Sequence, residues 1–165
     1  MIILGLDPGL AIVGWGVIAY EKAKLRPIAY GSIQTPAGMR TEERLRRIYD
    51  GVTELLTTYR PDSVAVEELF FTNNITTGIR VAEARGILLL CAEQAGIPLA
   101  EYTPMQVKQA VVGYGKAEKK QVIAMTTMLL SLPKPPKPDD TADALAIAIC
   151  HAHSGASRLA PYFNQ

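Results

Sequence analysis

Cysteine, histidine and net charge are all scarce in this chain of 165 residues. Its two cysteines, Cys91 and Cys150, sit inside Ala/Leu/Ile-rich stretches, which points to buried, reduced thiols and excludes a disulfide scaffold. No Cys/His cluster can be assembled, so a structural zinc site of the usual kind is excluded. Unbroken apolar runs such as residues 87–92 are far too short to span a bilayer. The N-terminus lacks a basic region and reaches an acid by Asp7, so it does not read as a signal peptide, and a soluble, cytoplasmic protein is expected. No internal repeat is visible, and the one Gly-rich candidate for a phosphate loop, Gly113-Tyr114-Gly115-Lys116, lacks the Walker spacing. A formal net charge of +1 neither requires nor forbids nucleic acid, so charge distribution has to decide.

What the chain does have is apolar content, 48%, enough for one globular core. A single domain over residues 1–155 is expected, with 156–165 a flexible tail. Residues 2–6, 12–20 and 25–34 read as three strands of an antiparallel meander, the first closing on the turn signal Asp7-Pro8-Gly9. Leu45, Ile48, Val52, Leu55 and Leu56 then recur at helical spacing between Thr41 and Tyr59. A short strand is expected at 63–67, a helix over 78–94, and a fifth strand at 98–102. Thr103-Pro104 is a helix start, with Thr as N-cap and Pro at the first position. A helix over 117–130, an extended Pro-rich linker to Pro138 and a last helix from 139 or 140 to about 153 complete the order. The reading is α/β with a mixed five-stranded sheet flanked by helices, an order similar to the RNase H-like fold.

Four acids fall at informative places. Asp7 also makes a good turn residue, and Asp140 a good helix cap. Glu67 ends an apolar strand, where an ionised carboxylate is rarely left without a partner. Asp143 opens an otherwise apolar helix and shares a face with Asp140, one turn away. Carboxylates that end two strands and open a late helix can converge at one sheet edge. Packed together they repel and raise one another's pKa unless a cation is present. An all-oxygen donor set selects Mg²⁺ or Mn²⁺, and a pair of such ions about 3.5–4 Å apart suits phosphodiester hydrolysis.

The strings around those acids are specific. Gly5-Leu6-Asp7-Pro8-Gly9, Val66-Glu67-Glu68-Leu69-Phe70, Gln106-Val107-Lys108-Gln109-Ala110-Val111-Val112-Gly113 and Asp140-Thr141-Ala142-Asp143-Ala144-Leu145-Ala146 together resemble the RuvC family, in order and over almost the whole chain. The resemblance implies an RNase H-like, Mg²⁺-dependent endonuclease that resolves four-way (Holliday) DNA junctions during recombination and repair. Two ions per site are implied, with Mn²⁺ able to substitute. It places the metal quartet on Asp7, Glu67, Asp140 and Asp143 rather than on the adjacent Glu68 and Asp139. It also implies a homodimer and the RuvA and RuvB branch-migration proteins as partners.

Between Pro104 and Lys137 six lysines face a single acid, Glu118, a strip suited to phosphates. Lys108 and Lys119 match lysines that the family uses near the scissile strand, and Lys116 and Lys120 extend the strip. Lys134 and Lys137 read as solvated surface charge. One of Phe70 and Phe71 is expected in the core and the other stacked on an unpaired base. Arg80 and Arg85 are expected either at DNA or in surface ion pairs. His151 and His153 do not share a helical face and read as solvated terminal residues. The small-residue-rich helix 78–94 is the expected dimer interface. Two other readings stand beside this one: a different RNase H-like nuclease acting in ribosomal RNA processing, and a non-catalytic ATP-binding module of the sugar-kinase type.

Overall fold

Alternation along the strands sets the layers. In β1 (Ile2–Asp7), Ile3 points into one apolar cluster while Leu4 and Leu6 point into another on the opposite face. The computed structural model describes residues 1–69 and 75–158. Over these, β1 is followed by β2 (Ile12–Glu21), β3 (Lys24–Gln34), α1 (Thr41–Tyr59), β4 (Ser63–Glu67), α2 (Ile75–Gln94), β5 (Leu99–Tyr102), α3 (Pro104–Val112), α4 (Lys119–Leu129) and α5 (Asp139–Arg158). The sheet order is β3-β2-β1-β4-β5. β1, β2 and β3 pair antiparallel, whereas β4 and β5 join β1 in parallel, so the sheet is mixed as expected.

α1 and α2 cover one face, packing Ile48, Val52, Ala84 and Leu88 onto Leu4, Leu6, Val64 and Val66. α5 covers the other, lying on Ile3, Ile18 and Ala65, with α3 and α4 outside it. Nearly every α5 residue from Ala142 to Ala152 is buried, because that helix is the middle of a layer and is walled in on all sides. Both cysteines are free and buried.

The Thr103 cap forms as its sequence implies, its hydroxyl accepting from the Gln106 N–H at 3.1 Å while Gln106 Oε1 accepts from Thr103 N–H at 2.8 Å. Three helix boundaries differ from expectation by two residues or more. α2 starts at Ile75 rather than 78. α4 starts at Lys119 rather than 117, because the Glu118 N–H is taken by Gln121 Oε1 at 2.8 Å, which makes Glu118 the cap. α5 runs past 153 to Arg158, since Ser154, Gly155 and Ala156 do not break a helix already anchored over its length. Three residues of the expected tail are therefore helical, and 159–165 lie outside the described residues. Among the described residues no helix is long and apolar enough to cross a membrane.

Candidate active site

Strand parity brings the first two acids together. Asp7 continues the Ile3–Gly5 face of β1, and Glu67 continues the Ser63–Ala65 face of β4, so both emerge on the α5 side. They stand one residue beyond the Leu6–Val66 pair of adjacent parallel strands, at the carboxyl ends of both. Asp7 is also the register partner of Gly14 on β2. At Gly14 the first turn of α5 comes so close that an added Cβ would lie 1.9 Å from the Asp140 carbonyl oxygen. Farther along α5, a Cβ on Gly5 would lie 2.1 Å from the Ala144 carbonyl oxygen. Bare backbone at these positions lets α5 lie directly on the sheet, with Asp140 and Asp143 beside Asp7 and Glu67. Thr141 Oγ1 donates to the Gly31 carbonyl at 3.0 Å and ties that end of α5 to β3.

The electrostatics match four acids held too close for comfort. Asp7 is raised well above the ordinary carboxylate range, first by burial, then by the charges of Asp143, Glu67 and Asp140. Glu67 is pushed from 4.5 up to about 7 by burial and by Asp143, with Lys108 and Lys119 pulling the other way. Asp143 is also raised, by burial first, although Lys119 Nζ donates to its Oδ2 at 2.8 Å. Burial works against the charge of Lys119, but the hydrogen bond and charge of Asp143, with Asp139 and Asp140 behind it, outweigh that and raise its pKa. As the side chains stand, no three Asp, Glu, His or Cys among the described residues converge on one point as a metal ion would need.

The acids divide two cavities. Asp7 and Asp140 line one of about 540 Å³ together with Arg44, Thr76, Thr77 and Arg80. Glu67 and Asp143 line another of about 270 Å³ with Lys108 and Lys119. No Cys or His among the described residues lines either. The neighbouring acids that competed for the same roles stand apart. Asp139 is engaged by Lys137 at 2.8 Å, and Glu68 has left the strand, its N–H bonded to the Tyr102 carbonyl.

Lys108 is half-buried beside Glu67, whereas Lys116 and Lys120 are exposed, Lys120 in a solvated pair with Glu118 at 2.9 Å. Lys137 is solvated as expected, in an exposed pair with Asp139. Arg80 opens onto the larger cavity, and Arg85 pairs with Glu101 and donates to the Glu67 carbonyl at 3.4 Å, bracing the end of β4. Phe70 and Phe71 lie outside the described residues. The expectation for His151 is corrected. It is half-buried, with Nε2 2.9 Å from Ser63 Oγ and Nδ1 2.8 Å from Tyr102 OH, because α5 lies across β4 and β5 at that point. His153 is exposed, as expected. Arg44 was missed, since nothing in the helical pattern of α1 distinguishes it from the arginines beside it.

A family model described as crossover junction endodeoxyribonuclease RuvC matches residues 3–151. The chain belongs to the RuvC family. A RuvC of Brevibacillus brevis is 60% identical over 92% of either chain, and one of Alkaliphilus metalliredigens is 57% identical over 94% of either. The solved structure of Thermus thermophilus RuvC in complex with a Holliday junction substrate superposes with a TM-score of 0.90 at 40% identity, covering 96% of both chains. These matches fix the RNase H-like architecture and the enzyme class, a nuclease that hydrolyses DNA at crossover junctions. They dispose of the ribosomal RNA-processing and ATP-binding alternatives.

Proposed function

We propose that this chain resolves four-way DNA junctions by paired, symmetric nicks, with Asp7, Glu67, Asp140 and Asp143 as the metal ligands of each active site. The observation that carries the proposal is the convergence of four carboxylates, two of them ending adjacent parallel strands, on one edge of the sheet. Asp7, Glu67 and Asp143 have raised proton affinity, from burial first and then from the charges of neighbouring acids, as expected of buried, crowded anions with no cation to neutralise them. The all-oxygen set suits Mg²⁺, with Mn²⁺ as a substitute and two ions as the expected count. Bound ions would activate a water for in-line attack and stabilise the leaving oxygen. The residues of the chain do the rest. Lys119 holds Asp143 in place, Arg85 fixes the Glu67 backbone, and Lys108 and Lys119 put positive charge against a phosphate beside the acids.

Lys116, Lys120 and Arg80 extend the DNA surface, and one of Phe70 and Phe71 stacks on an unpaired base at the junction centre. Matched nicks in two strands require two sites, so the working species is a C2 dimer. The face of α2 that carries Ile79, Gly86 and Leu90 is the interface. Both large side chains are exposed, 52% and 46%, and Gly86 has open space where a side chain would go. Cytoplasmic localisation and partnership with RuvA and RuvB follow from the family. The test is cleavage of a synthetic junction and of linear duplex in Mg²⁺ or Mn²⁺, with both nicks mapped. Paired symmetric nicks on the junction alone are expected, and equal cutting of duplex would refute the reading.

A further inference from the structure

Arg44 is the one charged side chain that is buried among the described residues, with 8% of its surface exposed. Its Nε donates to Thr35 Oγ1 at 2.8 Å and an Nη to the Thr35 carbonyl at 3.4 Å, and Thr35 Oγ1 donates in turn to the Leu10 carbonyl. These bonds tie α1 to the loop that follows Asp7, but they need only a neutral donor. Among the described residues no carboxylate lies within ion-pair distance of the guanidinium. A buried cation without an acid is costly, so its charge calls for an anion from elsewhere. It lines the cavity of about 540 Å³, facing a space it shares with Arg80, which also has no ion pair among the described residues.

The quartet separates this cavity from the one lined by Lys108 and Lys119, so each side of the acids carries two cations. We propose that the Arg44–Arg80 cavity is a second backbone subsite, which takes a non-scissile phosphodiester of the strand being cut. Guanidinium forks match phosphate oxygens two at a time, and two forks from different helices suit a diester better than a point charge does. The volume lies in the range of pockets that admit a nucleotide-sized group. Thr76, in the first turn of α2, adds a hydroxyl and the favourable end of the helix dipole. A strand that enters past Lys108 and Lys119 thus crosses the acids and is gripped again on the far side.

The inference rests on the junction-nuclease reading, and wild type on unmodified DNA separates the two. Junctions carrying a single neutral methylphosphonate at successive linkages around the mapped nick are titrated in EDTA at several salt concentrations. Wild type, Arg44→Gln, Arg80→Ala and Lys108→Ala are compared. One linkage away from the nick should weaken wild-type binding about tenfold, as loss of a charge-assisted contact does. Arg44→Gln and Arg80→Ala should lose as much on unmodified DNA, lose nothing further at that linkage, and flatten the log–log salt slope by roughly 0.7–0.9. Lys108→Ala should still feel that linkage in full. Additive losses at every linkage, or wild-type salt slopes in both arginine variants, overturn the proposal. If Arg44→Gln fails to melt cooperatively, Arg80→Ala, an exposed helix position, decides alone. Failure of wild type to prefer the junction over duplex sinks the parent reading and the subsite with it.

Discussion

Glu67 shows how a single carboxylate reports on its neighbours. Its pKa in the folded, metal-free protein is about 7 against 4.5 for the free side chain, so between those values the folded state binds the extra proton. Stability must then fall as pH rises through that window, and the loss is complete above about 7. Asp7 and Asp143, also raised, act in the same direction. In EDTA, the difference in melting temperature between Glu67→Gln and wild type should therefore grow in favour of the mutant from pH 5 to pH 8. Mg²⁺ should reverse it by stabilising wild type, because only ionised carboxylates are ligands. Loss of residues that merely orient metal ligands costs roughly 10–100-fold, so Asp7→Asn or Asp143→Asn, which remove a ligand, should lower cleavage at least about 100-fold. A Glu67→Gln protein less stable than wild type at pH 8 in EDTA would mean that the acid is a structural partner instead. For Lys119→Ala the sign is opposite in kind. It removes a cation that lowers the pKa of Asp7, Glu67 and Asp143, so the metal-free protein should lose more stability with rising pH than wild type does. An unchanged pH–melting curve would show that the Lys119–Asp143 pair is incidental.

At the scale of elements, the site depends on how closely α5 lies on the sheet. Gly14→Ala would put a methyl group 1.9 Å from the Asp140 carbonyl oxygen and 2.3 Å from its carbon, backbone atoms that cannot swing aside. The helix has to lift. Overpacking of this kind costs about 1–3 kcal/mol, and a misplacement of about 1 Å at a reacting site can cost roughly 100-fold in rate. Chemical denaturation and single-turnover cleavage check both numbers. Gly14→Ala with wild-type cleavage would show that Asp140 is not held by this contact. The same contact explains what the sequence could and could not disclose. The strand-end places of Asp7 and Glu67 and the spacing of Asp140 and Asp143 were legible as a candidate cluster, because both periods are local, while the choice over Glu68 and Asp139 came from the family resemblance. That Gly5 and Gly14 serve as the bed for a helix more than a hundred residues later is not a local property, and nothing in their strands announces it. Arg44 hides for the same reason: its burial depends on Thr35 and on the loop after β1, neither of which α1 contains. His151 was misjudged because its partners, Ser63 and Tyr102, come from two strands on the far side of the chain order.

For the molecule as a whole, the open question is how one carboxylate cluster cuts two strands. α2 buries Ala84, Leu88 and Cys91 against the sheet and α1, yet along its outer face Ile79, Glu83, Gly86, Leu90 and Glu93 all stay exposed at helical spacing. In a chain that worked alone, Leu90 would be an ordinary surface leucine, and Leu90→Glu would change stability by about 0.5 kcal/mol or less. In a C2 dimer packed through this face the same change buries a charge twice, once from each chain, opposite an apolar surface. Sedimentation should then show a species near the chain mass of 17.9 kDa, where wild type runs at about twice that value. Ile79, Gly86 and Leu90 line neither of the cavities beside the carboxylates, so the monomer should keep its metal-dependent rise in melting temperature. It should nick one strand of a junction yet fail to produce the two linear duplexes that paired cuts release. A Leu90→Glu protein that stays dimeric would move the interface elsewhere, and a true monomer that still resolves junctions would show that one site can cut both strands in turn.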